Sequence, residues 1–260
     1  MPLTFGSLFA GIGGFDLAFE RAGMKCRWQV EVNPFATKVL EKHWPNVKRW
    51  RDIREFEPGM QHRVDVICGG FPCQDISNAG TGKGLKGERS GLWSEYFRII
   101  SILRPRYVVV ENVSALLRRG IDTVCGDLAS IFYCVEGQTF LASDFALPHR
   151  RERICLVAYP DQIVRSERKR MGLIADGPSE VFTTDAAECS AVRVQTADHF
   201  IGVDDGVSRE LYGPRAECIG NAVVPAAFEW VAGLIVKHDQ QAGHLYDRKQ
   251  SDVLSGTDVC

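Results

Sequence analysis

Short apolar runs alternate along the chain with segments in which apolar residues recur every three or four positions. The first pattern is typical of buried strands, and the second of helices with one apolar face. Strands are predicted at residues 3–8, 26–31, 64–68, 107–110 and 154–158. Helices are predicted at residues 15–22, 34–43, 92–103 and 121–132. Four or more alternations of strand and helix predict an α/β fold with a doubly wound, mainly parallel sheet.

The pattern changes after residue 160, where the apolar periodicity stops. Residues 161–218 are polar and contain several turn signals, which predicts either a small irregular second lobe or a long insertion. Residues 219–238 again show one apolar face, which predicts a helix that returns to the first domain at 1–160. The polar residues 239–260 are predicted to form a flexible tail.

Composition indicates an ordinary globular protein and argues against a membrane-spanning, secreted or disulfide-rich one. The 260 residues are 45% hydrophobic and 25% charged, without an apolar run of about 20 residues that would span a membrane. The N-terminus lacks the basic and apolar regions of a secretory signal. Nine cysteines without a Cys-x-x-Cys pair argue against a disulfide framework or a zinc site. We therefore expect no metal, and a reducing cytoplasm is favoured.

Charge is distributed unevenly, although the net charge is only −2. Residues 149–170 contain seven arginines or lysines against three acids, and Arg165 and Arg168 are among them. Such a stretch can follow a phosphate backbone, or it can be a solvated loop. The first interpretation favours a nucleic-acid partner, which the net charge alone does not indicate.

A glycine-rich turn separates the first predicted strand from the first predicted helix. Glycine lets the backbone approach a ligand closely, and Glu31 closes the second strand, where an acid commonly accepts hydrogen bonds from a ribose. The alternatives are a turn that serves packing alone and a Glu31 that caps a helix. Because Asp16 stands where Gly-x-Gly-x-x-Gly needs its last glycine, a ligand without a pyrophosphate is favoured. The turn consists of Phe9, Ala10, Gly11, Ile12, Gly13 and Gly14.

Cys73 is the candidate nucleophile. It lies in the loop Gly-Gly-Phe-Pro-Cys-Gln at residues 69–74, and Glu111 ends the next apolar strand. The carboxyl ends of parallel strands meet at one edge of a sheet, so a thiol and a proton-transferring carboxyl can stand together there. Taken alone, Cys73 could equally be a small buried hydrophobic residue.

Five segments, in order along the chain, resemble the motifs of the cytosine-C5 DNA methyltransferases. His149 stands where the family's Gln-x-Arg-x-Arg motif has glutamine, and Ala222 stands where its last motif often has serine. Residues 87–93 are also similar to the phage and prophage branch of the family. The five segments are residues 5–15 (cofactor turn), 69–77 (nucleophile), 111–113 (carboxylate), 149–153 (paired arginines) and 220–225 (last motif).

The resemblance implies the methyltransferase version of the doubly wound sheet, with S-adenosylmethionine as cofactor. The glycine turn and Glu31 would then border the cofactor, with Glu31 on its ribose. Val32 stands where the family often has an aromatic residue on the adenine. The other residues that the resemblance assigns to this site are Asp52, Ile53, Pro72, Leu92, Asn221 and Ala222.

The resemblance also implies a catalytic route. Cys73 would attack C6 of a cytosine flipped out of double-stranded DNA, because C5 of an unmodified cytosine is a poor nucleophile. Glu111 would hydrogen-bond or protonate N3, while Arg151 and Arg153 would hold the base or a nearby phosphate. The enzyme is expected to act as a monomer in the cytoplasm of a bacterium or a phage-infected cell. Residues expected to contact DNA are Gln74, Ser77, Lys83, Lys86, Arg89, Arg165 and Arg168.

Target recognition and the competing functions are left open by the sequence. Residues 161–218 stand where the family has its target-recognition segment, and this stretch is short. Arg209 and Arg215 are candidates for the arginine motif that the family has in that region. A tRNA cytosine methyltransferase of the same family is disfavoured, because its Cys-Phe-Thr signature is absent. A non-catalytic DNA-binding relic is a second alternative. A small-molecule methyltransferase is a third, although it would need neither the thiol nor the basic stretch.

Overall fold

The computed structural model describes residues 1–72, 91–145, 151–160, 181–184 and 222–255. The strands are β1 (Thr4–Leu8), β2 (Lys25–Val30), β3 (Lys48–Trp50), β4 (Val66–Gly70), β5 (Tyr107–Val113), β6 (Tyr133–Leu141), β7 (Glu152–Pro160) and β8 (Val181–Thr184). The helices are α1 (Gly14–Arg21), α2 (Pro34–His43), α3 (Leu92–Leu103), α4 (Leu116–Arg119), α5 (Ile121–Ser130) and α6 (Pro225–Ser255). Short 3-10 turns lie at Met60–His62 and Ala142–Phe145.

The eight strands of the described segments form one sheet in the order β3-β2-β1-β4-β5-β7-β6-β8. The strands from β3 to β5 in that order pair in parallel, and β7, β6 and β8 pair antiparallel to their neighbours. β2 and β3 lie on one side of β1, and the later strands, starting with β4, lie on its other side. This confirms the predicted doubly wound, mainly parallel fold. The switch point between β1 and β4 is where such sheets bind ligands.

Three strands, β3, β6 and β8, were not predicted. β6 carries Glu136 and Gln138 in an otherwise apolar run, and these residues are nevertheless buried, with 1% and 0% of their surface exposed. The Tyr159 hydroxyl donates a hydrogen bond to Glu136, which compensates part of the cost of burying that carboxyl. β3 is a three-residue edge strand that contains Lys48 and Arg49, so no apolar pattern marks it.

Helices cover both faces of the sheet, and each layer encloses one apolar cluster. The first cluster joins α3 and α5 to one face, and the second joins α1 and α6 to the other. Across the second layer, the rings of Phe15 and Phe228 stand 4.4 Å apart between centroids. Phe228 is almost fully buried, and burial of such a side chain contributes roughly 1.5–3 kcal/mol. The predicted return of the C-terminal helix to the first domain follows from this apolar contact.

The predicted end of that helix at residue 238 is wrong, because α6 continues to Ser255. Two polar contacts hold the helix where its apolar stripe ends. The Tyr107 hydroxyl and Nδ1 of His238 are 2.6 Å apart, and Asp239 forms an ion pair with Arg106 at 2.5 Å. The helix was predicted from its apolar stripe alone. The polar side chains of His238 and Asp239 extend the contact between α6 and the sheet by one turn beyond that stripe. The division at residues 161–218 stays a prediction.

The carboxyl ends of β1, β2, β4 and β5 meet at one edge of the sheet. The paired positions there are Leu8 with Val30, Leu8 with Gly69, and Gly70 with Glu111. The segments that follow these strands therefore stand side by side. Among the described helices, none combines the length and apolar character needed to cross a membrane.

Candidate active site

The glycine turn between β1 and α1 stands at this edge. Phe9, Gly11 and Gly13 have φ angles of 52°, 56° and 90°, in the left-handed region that glycine adopts without strain. A Cβ on Gly13 would overlap the ring of Trp44. In contrast, apart from Gly11 and its two chain neighbours, no atom of the described residues lies within 4 Å of the place that a Cβ on Gly11 would take. Within the described part of the chain, the turn is therefore packed at Gly13 and open at Gly11.

The segment that leads into α6 covers the other side of the turn. A Cβ on Gly14 would lie 2.7 Å from Cγ2 of Val223, so the two backbones approach closely here. Ala222 precedes Val223 and is half-buried. The docking of α6 on α1 therefore brings the Ala222–Val223 peptide to the glycine turn.

Glu31 links the turn to the start of α2. Its Oε2 accepts a hydrogen bond of 2.6 Å from the N–H of Gly11, and its Oε1 accepts one of 2.7 Å from the N–H of Asn33. Burial raises the pKa of the Glu31 carboxyl above its ordinary value, and the backbone N–H donors oppose that rise. Asn33, not Glu31, caps α2, because its Oδ1 accepts from the N–H of Phe35 at 2.8 Å. The capping alternative for Glu31 is therefore excluded.

Both apolar and polar residues surround Glu31. Val32 is 59% exposed, although Val30 in the same strand segment is buried. The N–H of Glu31 donates to the carbonyl of Trp50, which places the end of β3 and the following Asp52 and Ile53 beside it. Ile53 lies in the first apolar cluster. Asp52 is half-exposed and pairs with neighbouring Arg54 at 3.3 Å.

The remaining predicted cofactor residues lie around the same edge. Ala10 is buried and its N–H donates to the carbonyl of Val30 at 3.1 Å, whereas Ile12 is half-exposed. The ring of Phe9 packs against Tyr96 of α3, with centroids 6.3 Å apart. Leu92, the first residue of α3, packs against the first apolar cluster, and Pro72 follows the end of β4.

A buried ion pair lies at the end of β5. Oε1 of Glu111 is 3.0 Å from Nε of Arg153, and their side chains are 9% and 24% exposed. Burial raises the pKa of the Glu111 carboxyl, and the positive charges of Arg153 and Arg151 oppose that rise. A Cβ on Gly70 would overlap Oε2 of Glu111. Glycine at this position thus lets the carboxylate lie directly against the strand that leads to the nucleophile loop.

The antiparallel direction of β7 explains how the arginines reach this carboxylate. Glu111 pairs with Cys155, and Val113 pairs with Arg153, so the beginning of β7 meets the end of β5. Alternate residues of a strand share a face, which places Arg153 on the same face as Cys155 and Glu111. A parallel β7 would carry Arg151 and Arg153 to the opposite edge. Strand direction, and not sequence spacing, assembles the pair.

The opposite face of the same strand end holds two functional candidates that sequence reasoning missed. Nδ2 of Asn112 donates a hydrogen bond of 3.1 Å to the carbonyl of Phe71. The ring of Phe71 packs on Trp93, with centroids 5.5 Å apart. A signal for Asn112 was present, because it is a polar residue inside an apolar strand end. Trp93 lies on the apolar face of α3 and in the segment 87–93 that resembles the phage and prophage branch, but neither pattern gave it a role.

Several predicted residues lie outside the described part of the chain, so their places relative to this edge are not assigned. Within the described part, the structure brings together two sites: the glycine turn with Glu31, and the Glu111–Arg153 pair with the end of β4. One site offers a glycine turn and a buried carboxylate acceptor, and the other offers a carboxyl beside the guanidinium group of Arg153. The predicted residues outside are Cys73, Gln74, Ser77, Lys83, Lys86, Arg89, Arg165, Arg168 and Asn221.

Comparison with known sequences gives a consistent family. The family model of the C-5 cytosine-specific DNA methylase matches residues 3–190. The type II methyltransferase M2.BsuMI of Bacillus subtilis is 37% identical over 160 residues, which are 58% of this chain and 41% of that protein. M.MspI of Moraxella sp is 30% identical over 207 residues, which are 78% of this chain and 49% of that protein. The chain spans about half the length of such relatives or less.

Comparison with solved structures agrees with the fold. A protein encoded within an E. coli prophage and described as a DNA modification methyltransferase superposes with a TM-score of 0.51 at 23% identity. The superposition covers 62% of this chain and 47% of that one. The strand order, the two sites at the switch edge and the match over residues 3–190 lead to one conclusion. The chain belongs to the C-5 cytosine-specific DNA methylase family.

Proposed function

We propose that this protein transfers a methyl group from S-adenosylmethionine to C5 of cytosine in double-stranded DNA. The observation that carries the proposal is the buried Glu111–Arg153 pair, which lies against Gly70, three residues before Cys73. A buried carboxyl paired with a guanidinium group, on the strand next to the one that leads into a thiol-bearing loop, suits proton transfer to a base under nucleophilic attack. A small-molecule methyl acceptor gives no reason for this pair.

The residues around the glycine turn fit S-adenosylmethionine. The open backbone at Gly11 gives room for a ligand, and each carboxylate oxygen of Glu31 keeps lone-pair capacity for ribose hydroxyls after accepting its backbone hydrogen bond. Val32 presents an exposed apolar surface for the adenine. When bound, the cofactor supplies an electrophilic methyl group. The residues that would hold it also include Phe9, Asp52, Ile53, Pro72, Leu92, Asn221 and Ala222.

Cys73 would add its thiolate to C6 of the cytosine, which forms an S–C6 bond and moves the C5–C6 π electrons toward C5. The charge that reaches N3 is met by a proton from Glu111, whose raised pKa favours the protonated form. Arg153 holds Glu111 in place, and Arg151 adds positive charge beside the base. After methylation, C5 gives up its proton to solvent, the thiolate departs from C6 and N3 returns its proton to Glu111, which restores the aromatic ring.

This chemistry requires the cytosine to leave the helix, because neither face of C6 is accessible to a side chain inside the base stack. The basic residues of the chain are the candidates for holding the phosphate backbone around the extruded base. They are Lys83, Lys86, Arg89, Arg165 and Arg168, together with Gln74 and Ser77 as polar neighbours of the nucleophile.

The proposal is tested by expressing the full chain in a host without cytosine methylation and mapping 5-methylcytosine across its DNA. Wild type is expected to methylate cytosines within a short motif, and Cys73→Ala is expected to methylate none while it still binds S-adenosylmethionine. Cys125→Ala serves as the matched control, because Cys125 is a buried cysteine of α5 to which the proposal gives no role. Methylation that persists in Cys73→Ala would exclude the covalent route. Methylation of RNA alone, or of neither nucleic acid by a folded protein that binds the cofactor, would overturn the proposed substrate.

A further inference from the structure

The hydrogen-bonded pairing of β4 and β5 ends just before the nucleophile loop. Gly70 and Glu111 are the last paired residues, so the sheet itself no longer determines the path of the chain from Phe71 onward. Phe71 is followed by Pro72, which has no N–H to donate. The carbonyl oxygen of Phe71 is therefore the one strong hydrogen-bonding group of the Phe71–Pro72 peptide unit.

Asn112 supplies the partner for that carbonyl. Successive residues of a strand point to opposite faces, so Asn112 faces away from Glu111 and toward the first apolar cluster, where it is 2% exposed. Its Nδ2 donates to the Phe71 carbonyl at 3.1 Å, and its Oδ1 accepts from the N–H of Val113 at 2.9 Å. A flipped amide would set donor against donor and acceptor against acceptor, so the two bonds fix its orientation.

The side chain of Phe71 is held independently. Its ring packs on Trp93, and Nε1 of Trp93 donates to Oδ2 of Asp127 at 2.8 Å. Trp93 therefore cannot turn without losing a hydrogen bond to α5. Phe71 is fixed at two points, its ring through Trp93 and its carbonyl through Asn112. The ring contact can set the position of the residue, whereas among the described residues the hydrogen bond from Asn112 sets the plane of the peptide that leads to Pro72.

We infer that Asn112 is a positioning residue, which orients the Phe71–Pro72 peptide and through it the direction in which the chain continues to Cys73. The inference rests on the proposed function, since the loop's direction matters for rate only if Cys73 attacks a base. Glu111 and Asn112, adjacent in β5, then serve the same reaction from opposite faces of the sheet. Glu111 meets the base, and Asn112 holds the backbone of the nucleophile loop without touching substrate or cofactor.

Three full-length variants separate positioning from general stability. Asn112→Ala removes the donor, and Asn112→Asp keeps the shape but donates only while its carboxyl is protonated. Tyr133→Phe is the matched control, because it removes another buried hydrogen bond to a carbonyl, that of Pro105 at 2.5 Å, on the far side of the sheet from the strand ends. For each variant we would measure kcat, the Kd of S-adenosylmethionine, and kcat against pH relative to wild type.

Asn112→Ala is expected to lower kcat about tenfold or more at every pH, because small misplacements of reacting groups cost large factors in rate. Its cofactor Kd should stay within about twofold, since the Asn112 side chain bonds to Phe71 and Val113 and not to the glycine turn. The kcat of Asn112→Asp, divided by that of wild type, should fall as pH rises and its carboxylate forms. Tyr133→Phe should retain the wild-type kcat. Equal losses in Asn112→Ala and Tyr133→Phe, or a pH-independent ratio for Asn112→Asp, would overturn the inference.

A second readout does not depend on methylation. Hydrogen exchange of the amides of residues 69–71, measured by mass spectrometry, should be faster in Asn112→Ala than in wild type and unchanged in Tyr133→Phe. If wild type methylates no DNA but this local difference is found, the proposed function fails and the positioning role of Asn112 stands. If exchange at 69–71 is the same in all variants, the positioning role fails whatever the substrate.

Discussion

Two buried glutamates at one edge of the sheet, Glu31 and Glu111, show how the same side chain is prepared for different tasks. Burial raises the pKa of both carboxyls. Their partners differ. Glu31 accepts hydrogen bonds from the backbone N–H groups of Gly11 and Asn33, whereas Glu111 meets the guanidinium of Arg153. One carboxylate is held by neutral donors that the fold fixes, and the other by a charged side chain.

The difference in partners predicts a difference in chemistry. Backbone donors keep their proton and their position, so Glu31 is a fixed acceptor suited to binding hydroxyl groups. A carboxyl beside a guanidinium gains or loses a proton with a change in local charge, and that response is what a proton donor to N3 requires. We therefore expect substitution of Glu111 to affect rate and substitution of Glu31 to affect cofactor affinity.

The largest effect is expected for Glu111→Gln. The amide keeps the shape but cannot give a proton to N3, so kcat should fall by about 10²–10⁴-fold with the cofactor Kd unchanged. Glu136→Gln is the matched control, because it makes the same change at a buried glutamate in β6. Single-turnover methylation and isothermal titration with S-adenosylmethionine measure the two quantities. A near-normal rate in Glu111→Gln would remove this carboxyl from the reaction.

Glu31→Gln should produce the reverse split. The amide nitrogen must face either the Gly11 or the Asn33 N–H, so one hydrogen bond is lost and a ribose hydroxyl loses part of its acceptor. The cofactor Kd should rise about tenfold, while kcat at saturating cofactor stays close to wild type. Titration calorimetry and initial rates at several cofactor concentrations test the split. A lowered kcat with unchanged Kd would refute the assignment of Glu31 to binding.

The raised pKa values also predict how stability depends on pH. Above pH 4.5, the ordinary value for glutamate, and up to each raised pKa, the folded protein binds more protons than the unfolded chain. The free energy of unfolding contributed by these groups therefore falls as pH rises through that range. Glutamine does not titrate, so the stability of Glu111→Gln relative to wild type should increase with pH. Urea denaturation at several pH values from 4.5 upward measures this, and a difference that shrinks as pH rises would contradict it.

The sequence predicted those parts of this comparison that depend on local pattern. Helices 34–43 and 92–103 have the predicted bounds, and Glu31 and Glu111 lie at strand ends of one edge as expected for a parallel sheet. The contacts that distinguish them were not legible. The Arg153 contact depends on the antiparallel direction of β7. The apolar run of residues 154–158 predicts a strand but does not indicate whether that strand runs parallel or antiparallel to β5.

β6 shows a second limit. A polar residue within a strand lowers the apolar signal, yet Glu136 and Gln138 are buried in the sheet, and the hydrogen bond from the Tyr159 hydroxyl offsets part of the cost of burying Glu136. The bond from Asn112 to Phe71 has the same character, since it joins residues 41 positions apart in the chain. Pairings of this kind follow from register and strand direction, which no local window of sequence contains.

The smallest predicted effect concerns cofactor binding next to Glu31. Val32 is 59% exposed beside Glu31, where it offers the adenine an aliphatic surface. Val32→Phe would add an aromatic face, which is worth about 0.5–1.5 kcal/mol in a stacked pair, so the cofactor Kd should fall about twofold to tenfold with kcat unchanged. Leu17→Phe controls for added surface hydrophobicity, because Leu17 is 38% exposed on α1. If calorimetry finds equal affinity in Val32→Phe and wild type, the adenine does not contact Val32. The binding role of Glu31 would then depend only on the rise in cofactor Kd measured for Glu31→Gln.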